Sequence, residues 1–296
     1  MRISTQLLSL FSLCLCIFIG TLTAKVNAAT ANSFSVEIIG QGRPVIMIPG
    51  LMSNTEVWRP TAQLLATKYQ LHLINIAGFA GNPPITGELL PKVKQELLAY
   101  IEQQHLEQPA VIGHSLGAFM AFSLASTAPD KIGTIIAVDG LPFLAPIFTQ
   151  NVDTSAAMMQ QQADYVRQQY QQMNKEQLTA VTSQGLFIHA KSEAHQQQVL
   201  KMAIASDAAS VGQALYELLT TDLRPEVHKI QSKVLLLGAS GALQTQEQQN
   251  AARALYQQQI ATITNAKLVF NQESRHFIML DQPDWLNQQI ITALQE

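Results

Sequence analysis

Cysteine is almost absent from this chain of 296 residues: it has two, Cys14 and Cys16, both close to the start. From residue 17 onward no disulfide and no thiol nucleophile is available. Charge is scarce as well, at 13% of residues, and the net value of −3 leaves no basic excess. That balance removes the electrostatic case for a nucleic-acid partner or an anionic membrane surface. No His/Asp/Glu cluster has metal-ligand spacing, and no motif asks for a cofactor. What the chain does have is apolar residue, 47% of the total, enough at this length to bury a sizeable core. Its polar surface falls to Gln, Asn, Ser and Thr. Runs such as Gln160 to Gln162 and Gln196 to Gln198 are flanked by apolar residues in helical rhythm, so they read as helix surface.

Residues 1–28 read as a signal peptide. Arg2 gives a positive start, Leu7 to Leu22 is an apolar run, and Val26-Asn27-Ala28 ends in a small residue suited to cleavage near Ala28 or Ala29. The alternative is an uncleaved N-terminal membrane anchor. Cleavage would remove both cysteines and shift the net charge from −3 to −5 by loss of Arg2 and Lys25. It implies a periplasmic or secreted protein with no stable membrane partner.

The rest of the chain alternates short β-branched runs with helical patterns, the signature of a mostly parallel sheet flanked by helices. Strands are expected at Val45 to Ile48, Leu71 to Ile76, Ala110 to Gly113, Ile132 to Val138, Val234 to Leu237 and Lys267 to Phe270. Helices are expected at Glu56 to Lys68, Glu88 to Gln104, Leu116 to Thr127, Glu247 to Gln258 and after Pro283. Within Glu88 to Gln104 the apolar residues Leu90, Val93, Leu97 and Ile101 share one face. From Leu141 to Asp222 only helical patterns appear. This stretch reads as a helical cap, residues 141–222, inserted into a core of residues 29–140 and 223–296. Open α/β sheets bind ligands outside the C-terminal ends of their strands, beneath such a cap.

Gly113-His114-Ser115-Leu116-Gly117 is a G-x-S-x-G motif lying between an expected strand and an expected helix. A strand-to-helix turn this sharp leaves no room for side chains beside the serine, and the two glycines remove them. Ser115 then stands at a helix N-terminus, where partial positive charge favours a developing oxyanion. Together with Pro49-Gly50-Leu51, Pro129-Asp130-Lys131-Ile132 and Arg275-His276-Phe277, the motif resembles the α/β-hydrolase superfamily over essentially all the sequence after residue 28. The resemblance implies an α/β-hydrolase fold with the cap inserted after the sixth strand. It implies Ser115 as nucleophile, and an oxyanion hole made by the N–H groups of Leu116 and Leu51. Pro49 departs from the usual histidine of that loop, but the donor is backbone.

The resemblance places the base at His276, in the loop after the last strand. Of the other histidines, His72 lies in a strand, His105 ends a helix, His114 lines the elbow, His189 and His195 belong to the cap and His228 to its exit. The acid is less direct. The usual position follows the seventh strand, where this chain reads Gly238-Ala239-Ser240-Gly241, with glycine in place of a carboxylate. Asp139, at the end of Ile136-Ala137-Val138-Asp139 and 24 residues after Ser115, offers an alternative site. The order Ser115, Asp139, His276 is the superfamily order. Glu247 and a dyad without an acid remain open.

Serine chemistry of this kind predicts cleavage of carboxylic esters of small or apolar molecules through an acyl-enzyme, as a carboxylesterase-like enzyme. Another acyl bond (amide, lactone, thioester or carbon–carbon) stays open, and so does a non-catalytic binding module. Met158, Met159, Met173, Phe187 and Met202 in the cap read as helix packing or as a pocket lining. Leu141 to Pro146 read as a hinge or pocket wall, and Phe79 and Met52 as further lining candidates.

Overall fold

In the central strands, charge-free aliphatic runs are covered on both faces, which is what a parallel sheet beneath two helical layers requires. The computed structural model describes residues 33–295, so the leader expected at residues 1–28 lies outside the described residues. The strands are β1 (Phe34–Gly40), β2 (Arg43–Ile48), β3 (Tyr69–Ile76), β4 (Ala110–His114), β5 (Ile135–Val138), β6 (Val234–Ala239) and β7 (Ala266–Asn271). They form one sheet in the order β1-β3-β2-β4-β5-β6-β7. Only β1 runs antiparallel to its neighbour.

Alternation along β2 shows how the core divides. Ile46 and Ile48 join one apolar cluster with Phe79, Val111, Phe119 and Phe122. Val45 and Met47 join the other, with Trp58, Ile112, Val138, Leu286 and Ile290. Side chains two apart share a face, so one strand feeds both layers.

The flanking helices are α1 (Arg59–Leu65), α2 (Leu90–Gln103) and α3 (Leu116–Thr127) before β5. Between β5 and β6 stand α4 (Ala145–Thr149), α5 (Ala156–Gln171), α6 (Lys175–Gln184), α7 (Leu186–His189), α8 (Glu193–Ala203) and α9 (Ala208–Thr220). The chain closes with α10 (Gln246–Gln259), α11 (Ile278–Asp281) and α12 (Pro283–Gln295). Helix α3 occupies its expected residues and is buried from Leu116 to Ser126, apolar all round as a helix under a sheet must be.

Three local expectations change. The helix expected over Glu56 to Lys68 is split into a 3₁₀ turn at Thr55–Trp58 and then α1, because Pro60 lacks an N–H and fits only a helix's first turn. The strand expected from Ile132 begins at Ile135. Ile132 is buried, but its carbonyl accepts from Ser232 Oγ (2.6 Å), outside the sheet ladder. The all-helical insertion follows β5, the fifth strand among the described residues, where the sixth was expected.

Helices α5 and α9 pack so tightly that a Cβ on Gly212 would lie 2.7 Å from Tyr170 Cβ. The insertion is tied to the loop after β3: Asp207 N–H donates to Gly78 O (2.7 Å) and Gly81 N–H to Ala205 O (2.9 Å). Buried Glu217 of α9 also accepts the N–H groups of Leu89 and Leu90 (2.8 and 2.7 Å), capping α2 with a carboxylate.

Candidate active site

The chain turns from β4 into α3 at Ser115, whose φ is 53° and ψ −113°. A non-glycine residue held there stores backbone strain of about 1–3 kcal/mol. The surroundings impose it. A Cβ on Gly113 would lie 2.1 Å from Gly117 O, and one on Gly117 would lie 2.2 Å from Ile48 O. The second contact also presses the start of α3 against the end of β2, which brings the Pro49-Gly50-Leu51 loop over the serine. The N–H groups of Leu51 and Leu116 make no hydrogen bond among the described residues. Leu116 is free as the first N–H groups of a helix are, and Leu51 lies in the turn after β2.

His276 lies in the irregular loop between β7 and α11. Its Nδ1 is 2.7 Å from Asp139 Oδ2. Asp139 stands at the end of β5 with φ 48°, a conformation that Asp tolerates better than most residues. Its other oxygen, Oδ1, accepts from Ala239 N–H (2.8 Å) and Tyr256 O–H (2.9 Å). Three donors thus fix the plane of the carboxylate. Tyr256 is buried, and burial first, then the charge of Asp139, push its hydroxyl well above the ordinary tyrosine range. It stays protonated and donates.

Two further histidines frame the base. His114 and His276 rings have centroids 4.6 Å apart, and His189 lies 5.6 Å from His276. Burial, then the nearness of His276, lower His189 to about 4, so it is neutral at pH 7. The segment around α7 also grips the main chain of the histidine loop. Ile188 O accepts from His276 N–H (3.3 Å), and His189 O from Phe277 N–H (2.9 Å). Arg275 Nη1 donates to Ala190 O (3.0 Å), and Lys191 N–H to Asp281 Oδ1 (3.0 Å).

The expected site residues Ser115, Asp139, His276, Leu51 and Leu116 all lie at the C-terminal edge of the sheet, and Asp139 and His276 are bonded there. Glu247 does not join them; it sits exposed in the first turn of α10. Gly241 has no room for the usual acid, since a Cβ there would lie 2.6 Å from Ser274 O. Several lining candidates turn out to be packing. Phe79 is wholly buried in the larger core cluster. Phe143 is buried among Ala145, Met159, Ala163 and Leu219, and its N–H and carbonyl are both held by the Gln259 amide at 2.8 Å. In this arrangement Leu141 to Pro146 are tied to α10 through Gln259. Met202 is buried too, whereas Met158 and Phe187 are exposed and Met52 is half-buried. His72 is held by Tyr100 Oη (2.7 Å), His228 by Pro225 O (2.8 Å), and His195 lies 3.6 Å from Asp281. Nothing in the sequence marks Tyr256. A tyrosine among glutamines on an amphipathic helix gives no sign of a carboxylate 117 residues away.

Comparison with known proteins gives consistent findings. A family model described as alpha/beta hydrolase fold matches residues 43–288. A pimeloyl-[acyl-carrier protein] methyl ester esterase of Aeromonas hydrophila subsp. hydrophila is 37% identical over 114 residues, which is 37% of this chain. The chain thus spans only 42% of that relative's length. A Vibrio cholerae protein of the same name is 27% identical over 68% of this chain and 76% of its own. Among solved structures, the enol-lactonase of Burkholderia xenovorans superposes with a TM-score of 0.71 at 14% identity, covering 89% of this chain and 96% of its own. An esterase of Thermogutta terrifontis gives 0.72 at 16% identity, over 88% and 93%. At such identities these two speak to the fold alone.

Proposed function

The chain belongs to the alpha/beta hydrolase fold family, and we propose that within it the protein is a serine hydrolase of carboxylic esters. The observation that carries this reading is the 2.7 Å bond between His276 Nδ1 and Asp139, set beside a serine on a left-handed turn at the start of α3. The named esterase relatives support an ester as the bond cleaved.

The roles follow from the geometry. The Asp139 carboxylate accepts only, so Nδ1 of His276 carries the proton and Nε2 is free to take one. His276 Nε2 removes the Ser115 proton as Oγ attacks the acyl carbon. Ser115 is half-buried, and a catalytic hydrogen bond from its Oγ to His276 Nε2 is of the kind that tightens when substrate arrives. The tetrahedral oxyanion is met by the N–H groups of Leu51 and Leu116, each such donor contributing about 2.7–4 kcal/mol in the transition state. Asp139 stabilises the imidazolium. His276 then protonates the leaving alcohol and activates a water that releases the acid. The substrate class is an uncharged small or apolar ester, and the site of action is outside the cytoplasm if residues 1–28 act as a cleaved leader. N-terminal sequencing of protein from an exporting host tests the latter; retention of Met1 overturns it.

Hydrolysis of p-nitrophenyl esters and labelling by a fluorophosphonate probe test the main reading. Wild type should turn over and label, and Ser115→Ala should do neither. A wild type that labels but spares esters shifts the reading to another acyl bond. A wild type that does neither ends it.

A further inference from the structure

His114 has no part in the steps above, yet it is wholly buried between the nucleophile and the base. Its Nε2 lies 3.0 Å from the carbonyl oxygen of His276. A carbonyl only accepts, so Nε2 carries the proton. Nδ1 is then an acceptor, buried without a partner among the described residues. It faces the oxyanion loop, since a Cβ on Gly50 would come within 2.8 Å of it. The ring also packs on Phe277, with centroids 4.6 Å apart. Burial first, then His276 and His189 nearby, hold it neutral, well below the usual histidine range.

We propose that His114 is a positioning residue: its Nε2–H ties the main chain of the base to the strand that carries the nucleophile. The inference rests on the serine-hydrolase reading. Its force lies in connectivity. Ser115 is the next residue along the chain, and the carbonyl held is that of His276 itself. This hydrogen bond therefore constrains the offset between the two reacting side chains directly. The base otherwise lies in a loop without regular structure, held at its N–H by Ile188 and at its ring by Asp139. Packing alone does not call for a histidine here. An apolar ring would fill the same space without leaving a buried nitrogen unpartnered, which destabilises a fold. What the histidine adds is the bond from Nε2.

Two variants separate the roles. His114→Phe keeps a ring against Phe277 and removes the donor. His114→Gln places an amide N–H at similar reach without a ring. The first readout is the rate of fluorophosphonate labelling at Ser115. The second is kcat and KM on a p-nitrophenyl ester. The third is the proton shared by His276 Nδ1 and Asp139, observed by NMR in protein with 15N-labelled histidine. His114→Phe should slow labelling and lower kcat about 10- to 100-fold, the scale of a small misplacement of a catalytic group. KM should hold, and the shared proton should broaden or vanish. His114→Gln should recover most of the rate and the proton. Wild-type labelling with an intact shared proton in His114→Phe overturns the proposal. So does a His114→Gln variant as slow as His114→Phe, since the ring and not the donor would then matter. If wild type itself fails to label, the serine-hydrolase reading fails separately, and a shared proton unchanged in His114→Phe still overturns the tie.

Discussion

The ends of β5 and β6 are neighbours in the sheet and have opposite constructions. At the end of β5 the backbone enters the left-handed region at Asp139, and three donors converge on its carboxylate. Beyond β6 the chain is closed against the histidine loop: Gly241 N–H donates to Ser274 O at 2.8 Å, leaving no space for a side chain. The two ends still serve one group. Ala239, the last residue of β6, gives its N–H to Asp139. One strand end thus carries the carboxylate that meets His276, and the other supports it.

That contrast can be broken most sharply at Asp139. Asp139→Asn should lower kcat on a p-nitrophenyl ester about 10⁴-fold, because an amide favours the wrong tautomer of His276. A drop below tenfold would remove the acid from β5. Gly241→Asp should cost about 3 kcal/mol or more in urea unfolding, as its Cβ meets backbone, and should not rescue Asp139→Asn. Any rescue would show that the end of β6 still accepts an acid.

Tyr256→Phe removes one donor to a charged group and should cost about 1.5–3 kcal/mol, with Ala239 N–H still in place. It also has a pH signature. The native hydroxyl keeps its proton where an unfolded tyrosine loses it near pH 10, so this contribution is full below about pH 10 and is lost as pH rises further. Unfolding free energies at mildly and strongly alkaline pH should therefore fall less steeply in Tyr256→Phe than in wild type. Smallest of all, Glu247→Gln should change stability by no more than about 0.5 kcal/mol and leave turnover unaltered, since the residue is exposed.

What was legible in the sequence was whatever a local rule enforces. The elbow glycines and the bounds of α3 follow from turn sterics, whereas His276 was pointed to by the resemblance to the superfamily. Asp139, pointed to by the glycine at 241, does lie within 2.7 Å of His276 Nδ1. The framing of the base by His114, His189 and Tyr256 was not legible, because each contact joins residues far apart in the chain and each side chain also suits an ordinary helix or strand. Ile132 shows the same limit at a boundary: burial marks a residue as core, and only the ladder makes it strand. Phe79 and Phe143, expected near a pocket, show that an aromatic close to a strand edge in sequence can point inward in space.

The carbonyls of Ile188 and His189 have a consequence for engineering. A cap exchange grafted only at the two points where the insert leaves the sheet would overlook part of what the insert touches. Here the insert also holds the backbone amides of His276 and Phe277. A foreign cap spliced at residues 141 and 222 would arrive without its half of that grip. The transplantable module is thus two pieces of chain, the helical insert together with the stretch from Arg275 to Asp281. A chimera that carries both should keep its base in register, and one that carries only the first should fold with a wandering histidine.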